Sequence, residues 1–126
     1  MWYTSIMGKR VLVCGDRNWT DELAIRSWLC WLQDWGFDTV IEGEARGADT
    51  IARNEARLCG MEVVKFPADW KLYHKAAGAI RNKQMLVEGK PDLVLAFHSD
   101  IERSKGTKLM LKLAQDAGVE WLLESC

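Results

Sequence analysis

Along this chain, short continuous apolar runs alternate with longer stretches in which apolar residues recur at helical spacing. The runs Arg10–Cys14, Asp38–Glu42, Glu62–Phe66, Asp92–Phe97 and Glu120–Leu123 predict strands, and Arg10–Cys14 and Asp92–Phe97 are apolar enough to be buried on both faces. Ile25, Trp28, Leu29, Leu32 and Trp35 mark a helix over 21–35, which Thr20 or Asp21 caps and Gly36 ends. Ala48, Ile51, Ala52, Ala56 and Cys59 give the next helix a small-residue stripe for close packing on a sheet, with Gly60 as its C-cap. A third helix covers Ala79–Glu88 and ends at Gly89. Gly106-Thr107 opens a fourth, whose buried face is Met110, Leu113, Ala114 and Ala117 and which Gly118 closes. Two segments lack a pattern, Ala68–Gly78 and the polar His98–Lys105.

Strands that alternate with helices throughout predict an α/β fold, a three-layer sandwich with a mostly parallel sheet of about five strands and helices on both faces. Right-handed crossovers put every strand-to-helix loop at the carboxyl edge of the sheet. The loops that carry Arg17, Arg46, His98 with Thr107, and Lys75 are therefore expected to converge on one crevice.

The loop between the second strand and second helix, within Ile41–Ala52, is the densest in chemistry. Gly43 and Gly47 permit positive φ and close ligand approach, Asp49 is placed to cap the helix, and Arg46 offers a fork of donors to phosphate. The same residues also fit a plain tight turn closed by an N-cap. In Ala68–Gly78, Asp69, Trp70, Tyr73, His74 and Lys75 fit either a loop that holds a base and phosphate or an ordinary surface loop.

Composition narrows the classes. At 126 residues the chain suits one domain over 10–126, preceded by a short extension, residues 1–9, in which Met7 is an alternative start. A net charge of -1 disfavours double-stranded DNA as a partner. Cys14, Cys30, Cys59 and Cys126 lie far apart without zinc-ligand spacing, and read as reduced buried thiols of a cytoplasmic protein. The first six residues lack the features of a secretory signal, and no run is long enough to span a membrane. Seven Trp exceed what so short a chain needs for its core, so Trp28, Trp31 and Trp35 are expected both to pack inward and to face a second copy.

Five segments in register, Val-Leu-Val-Cys-Gly-Asp-Arg-Asn-Trp-Thr-Asp, Gly-Glu-Ala-Arg-Gly-Ala-Asp-Thr-Ile-Ala, Phe-Pro-Ala-Asp-Trp, Lys-Ala-Ala-Gly-Ala-Ile-Arg-Asn-Lys-Gln-Met and Lys-Gly-Thr, resemble the YspA-like, cpYpsA-related branch of the SLOG superfamily from about Arg10 onward. The resemblance implies a Rossmann-like fold, a distant relation to the Lonely Guy phosphoribohydrolases, and a nucleotide or nucleotide derivative as ligand. It places Gly15 and Arg17, then Gly43, Arg46, Gly47 and Asp49, then Arg81 with Asn82, in the site, and makes Gly106-Thr107 the phosphate-binding pair. Two departures stand out. His98-Ser99-Asp100 replaces the Pro-Gly-Gly turn of the hydrolase branch, and Met110 occupies the position of its catalytic Glu.

The first expectation is thus a binding module for a nucleotide or ADP-ribose-like molecule, one that senses or sequesters a signal nucleotide, with no cofactor and no metal. Its ligand set is Gly15, Asp16, Arg17, Trp19, Gly43, Arg46, Gly47, Ala48, Asp49, Trp70, Lys75, Arg81, Asn82, His98, Lys105, Gly106 and Thr107, in which Trp19 or Trp70 stacks on the base. The second is an N-glycosidic hydrolase of a nucleoside phosphate or nucleotide sugar, with His98, Asp100 and Glu102 as candidate catalytic groups. Binding of single-stranded nucleic acid is the third.

Overall fold

The computed structural model describes residues 8–125. The chain runs β1 (Lys9–Gly15), α1 (Glu22–Asp34), β2 (Phe37–Glu42), α2 (Ala48–Leu58), β3 (Glu62–Lys65), α3 (Trp70–Tyr73), α4 (Ala77–Gly89), β4 (Leu93–Phe97), α5 (Gly106–Asp116) and β5 (Glu120–Glu124). The strands pair in the order β3-β2-β1-β4-β5, every pair parallel. This is the expected Rossmann-like sandwich.

Side chains alternate across the sheet, so each strand feeds two cores. Val11, Val13, Leu93, Leu95 and Phe97 join Ile25, Leu29, Ala52 and Ala56 on the α1/α2 side. Leu12, Cys14, Val94 and Ala96 join Met85, Met110 and Ala114 on the α4/α5 side. All five residues of β4 are buried, which accounts for its continuous apolar run. The small-residue stripe of α2 does what its composition predicts, since Ala48, Ala52 and Ala56 are fully buried against the sheet.

Strand limits agree with the sequence pattern to within a residue, and of the two proposed caps of α1 it is Asp21 that acts, its carboxylate accepting the Ala24 N–H at 3.1 Å. The stretch Ala68–Gly78 is a correction. Asp69 accepts the Leu72 N–H at 3.0 Å and starts α3, a 3-10 turn follows over His74–Ala76, and α4 begins at Ala77. A polar residue three positions ahead of a free amide is a cap signal, here mistaken for loop composition. The expected extension reaches the sheet at its end, because Lys9 already pairs with Phe37, while residues 1–7, with the alternative start Met7, lie outside the described residues, as does Cys126.

β1 and β4 are neighbours from which the chain leaves toward opposite edges. Their carboxyl ends therefore bound a crevice at the topological switch point, the usual ligand position in such sheets.

Candidate functional site

At that switch point lies a cavity of about 290 Å³. Its walls come from Cys14, Gly15, Asp16 and Arg17 after β1, Ala45 and Asp49 around the start of α2, Arg81 and Asn82 on α4, His98 after β4, and Ser104 through Thr107 at the start of α5. Five stretches of chain thus converge, and those that follow β1, β2 and β4 do so as the crossover rule requires.

The loop before α2 is built for tight packing against the β1 loop. Gly47 is the N-cap of α2, with φ 75° and ψ -123°, a conformation that only glycine adopts without strain. A Cβ there would lie 2.3 Å from the Asp16 carbonyl oxygen and 2.5 Å from that of Arg17. That Asp16 carbonyl accepts both the Ala48 N–H and the Trp19 N–H at 3.1 Å. The first amide of α2 is consequently taken by the protein itself and is not free for an anion.

Asp49 is the second residue of the helix and not its cap. Its carboxylate turns back to accept the Gly43 N–H at 3.0 Å and the Ala45 N–H at 3.4 Å. Burial pushes its pKa up to about 6, against the Arg81 charge and those two amide bonds, which hold it down. Gly43 also differs from expectation, because it needs no positive φ; a Cβ would stand 2.5 Å from Arg81 Nη1. Its role is to let that guanidinium lie flat on the backbone.

Arg81 and Asn82 clasp two loops. Arg81 Nη1 donates to the Gly43 carbonyl at 2.6 Å, and Arg81 Nε donates to Asn82 Oδ1 at 3.0 Å. Asn82 Nδ2 donates to the Gly106 carbonyl at 3.1 Å. Through these contacts α4 sets the distance between the α2 loop and the start of α5.

The helix start that lines the cavity most fully is that of α5. Gly106 and Thr107 begin it at the cavity wall, Ser104 Oγ accepts the Thr107 N–H at 3.0 Å, and Lys105 precedes the first turn. The helix dipole and first-turn amides favour an anion at this point, and Arg81, Lys105 and Arg17 add positive charge around it. Across the cavity, His98 Nδ1 accepts the Asp100 N–H at 2.9 Å, which leaves the ring proton on Nε2, 4.0 Å from Asp16 Oδ2.

Other expected residues are not brought here. Arg46 lines an adjoining open groove shared with Arg17, Gly47 and Thr50. Trp19 is buried, with its ring 5.5 Å from that of Phe97 and its Nε1 donating to the Asp21 carbonyl, so it is structural and its faces are not free for a base. Ala48 is wholly buried. Trp70 is exposed beside Gly78 of α4, and Lys75 is exposed in the 3-10 turn, neither on the cavity wall. Asp100 and Glu102 stand in solvent, paired with Arg103 at 3.3 Å and Lys108 at 3.0 Å, because the loop after His98 winds into a 3-10 turn that carries them outward. Met110 is fully buried in the α4/α5 core, so no carboxylate reaches the cavity from that position.

Three wall residues, Cys14, Ala45 and Ser104, were not anticipated. Ser104 had a signal, since it stands three residues before Thr107 at the cap distance. Cys14 and Ala45 had none, being ordinary small residues at element ends. Burial, first, and the Asp49 charge push the Cys14 thiol far up, so it sits in the wall as a neutral group.

Glu42, at the end of β2, is also unanticipated. It is wholly buried, Oε1 accepts the Glu44 N–H at 2.6 Å, and Oε2 is a buried side-chain atom with no hydrogen-bond partner. Burial first, then Glu44, push its pKa up to about 8. The folded state therefore keeps a proton that the unfolded chain has already released, and stability falls as pH rises from about 4.5 to about 8. Asp49 adds to the decline only up to about 6. Glu42→Gln, which retains the acceptor for Glu44, is expected to abolish the decline between pH 6 and 8 in urea melts; an unchanged slope refutes this assignment.

Among the described residues no helix is long and apolar enough to cross a membrane, and no three His, Cys, Asp or Glu side chains gather as a metal-binding group.

Comparison with known proteins follows the same lines. Residues 9–73 match the YspA, cpYpsA-related SLOG family. The chain is 37% identical over 119 residues to the Gene 61 protein of Mycobacterium phage D29, covering 88% of this chain and 92% of that protein. In fold it is similar to DNA processing protein A from Streptococcus pneumoniae, with a TM-score of 0.74 at 16% identity; the match covers 92% of this chain and 50% of that one.

Proposed function

Because this chain belongs to the YspA, cpYpsA-related SLOG family, we propose that its switch-point cavity binds the phosphate and sugar of a nucleotide or ADP-ribose-like molecule. The observation that carries this reading is the amino end of α5 in the cavity wall, together with Arg17, Arg81 and Lys105 in the same lining. The volume lies at the small end of ligand pockets, suited to a pentose phosphate, and the groove that shares Arg17 with Arg46 receives the remainder of a larger ligand. With a relative encoded by a phage, the role we infer is to sense or sequester a signal nucleotide in the exchange between phage and bacterium. Free thiols at Cys14, Cys30 and Cys59 suit the reducing cytoplasm.

Titration calorimetry with nucleoside mono- and diphosphates, ADP-ribose and cyclic ADP-ribose isomers tests the proposal. At least one is expected to bind in the micromolar range, with affinity lowered about tenfold in Lys105→Ala. Absence of heat with every member at millimolar concentration overturns it. A second reading has one observation in its favour, the approach of Asp16 and His98 to each other on the cavity wall. A carboxylate and an imidazole so placed would stabilise an oxocarbenium-like state and position a water, in place of the outlying Asp100 and Glu102. Chromatography of the same mixtures for released base decides between the two readings.

We also propose that the helix α1 pairs two copies. Among the described residues Trp31 and Trp35 are 52% and 57% exposed, and Trp31 packs edge-on against Trp28 and tilted against Trp35, which makes an exposed apolar ridge. Light scattering at micromolar concentration is expected to give a dimer mass, reduced to the monomer mass in Trp31→Lys.

A further inference from the structure

Outside the cavity, α1 and α2 bring two thiols together. Cys30 Sγ and Cys59 Sγ lie 3.7 Å apart. Cys30 is exposed on α1, and Cys59 is half-buried at the C-cap of α2. Contacts on either side hold the helices in this register. Arg26 Nε donates to Glu55 Oε1 at 2.6 Å, and Gln33 Nε2 donates to the Cys59 carbonyl at 2.8 Å. Glu55 is 2% exposed, so the first contact is anchored in the core. The spacing of these cysteines in the sequence carries no hint of the pair, and the expectation that both are buried is corrected, Cys30 being exposed and Cys59 half-buried.

We propose that Cys30 and Cys59 form a vicinal dithiol that peroxide or a small disulfide oxidises to a reversible staple between α1 and α2. The solvent-facing Cys30 reacts first. Its thiolate attacks one oxygen of hydrogen peroxide, the O–O bond breaks, and hydroxide leaves and is protonated to water, which gives the sulfenic acid of Cys30. Cys59 then attacks Cys30 Sγ as its own proton departs, the S–O bond breaks, and a second water leaves. Both thiols are oxidised and one peroxide is reduced to two waters. The sulfurs need to close by only about 1.7 Å to reach the bond length near 2.05 Å. Prior placement makes the second attack fast against any further oxidation of Cys30. Burial, first, and the neighbouring Cys30 raise the Cys59 thiol above its ordinary value, which agrees with its part as the resolving and not the attacking group.

Treatment of the full chain with stoichiometric hydrogen peroxide, followed by alkylation, intact mass and peptide mapping, tests the proposal. The expected result is a loss of about 2 Da, a linked Cys30–Cys59 peptide, and a rise in Tm of roughly 5 to 10 °C that dithiothreitol reverses. Cys30→Ser and Cys59→Ser each abolish the loss and the rise, and Cys126→Ser abolishes neither. The proposal is overturned if both thiols remain alkylatable after peroxide, if Cys30 gains oxygen without linking to Cys59, or if the bridge forms to Cys126 or to a second molecule.

Discussion

Gly47→Ala is expected to destabilise the fold by about 3 kcal/mol or more, read as a lower urea midpoint with an unchanged slope. The φ of 75° with ψ of -123° excludes a Cβ on conformational grounds alone. The neighbours that Cβ would meet are backbone, the Asp16 and Arg17 carbonyls at 2.3 and 2.5 Å, and no rotamer change can move them aside. Relief requires the β1 loop to separate from α2, which breaks the bond from the Ala48 N–H to the Asp16 carbonyl. The same separation moves Asp16 and Arg17, so ligand heat should vanish together with the lost stability. A variant within about 1 kcal/mol of the parent contradicts this packing of the two loops.

Arg81→Met is expected to act on both stability and binding. It removes a 2.6 Å bond to the Gly43 carbonyl and leaves Asp49 buried without its counter-charge, a loss of roughly 3 kcal/mol. The Asp49 pKa should rise further above about 6, so the fall of stability with rising pH that Asp49 contributes should extend to higher pH in the variant. With the Asn82 clasp disturbed and a cavity cation gone, nucleotide affinity should fall at least about a hundredfold. Arg81→Lys separates the causes. It keeps the charge near Asp49 but has no planar fork for Gly43 and Asn82, and it should restore the pKa better than the affinity. Equal rescue of both would show that charge alone is at work and that the clasp is incidental.

These effects show which parts of the site were legible along the chain. Gly15, Arg17, His98, Lys105, Gly106 and Thr107 reach the cavity because each sits near the carboxyl end of a strand or the start of a helix, and the parallel sheet gathers such ends by rule, whereas Arg81 and Asn82, in the second turn of α4, were marked by the family resemblance. Arg46 in its loop, Trp70 at the start of α3 and Lys75 in the 3-10 turn lie outside the cavity wall. A loop's place is set by topology, whereas the direction of a side chain within it depends on capping and packing. Asp49 illustrates the difference: the sequence marks it correctly as a residue that binds free amides, but the amides are those of Gly43 and Ala45, reached only because the loop folds back over the helix start. Trp19 has the chemistry of a stacking platform and is spent instead on Phe97.

Residue order alone determined the alternation of strands and helices, the parallel five-stranded sheet and the rim where a ligand would sit, because burial periodicity and turn residues are local and the crossover hand is general. Tertiary structure alone decided how the start of α5 lines the cavity, that Glu42 is sealed away from water, and that two thiols from different helices meet at 3.7 Å. Those outcomes depend on how surfaces distant in the chain dock against one another, and docking distances are set by side-chain volumes summed over both partners, a quantity that no local pattern contains.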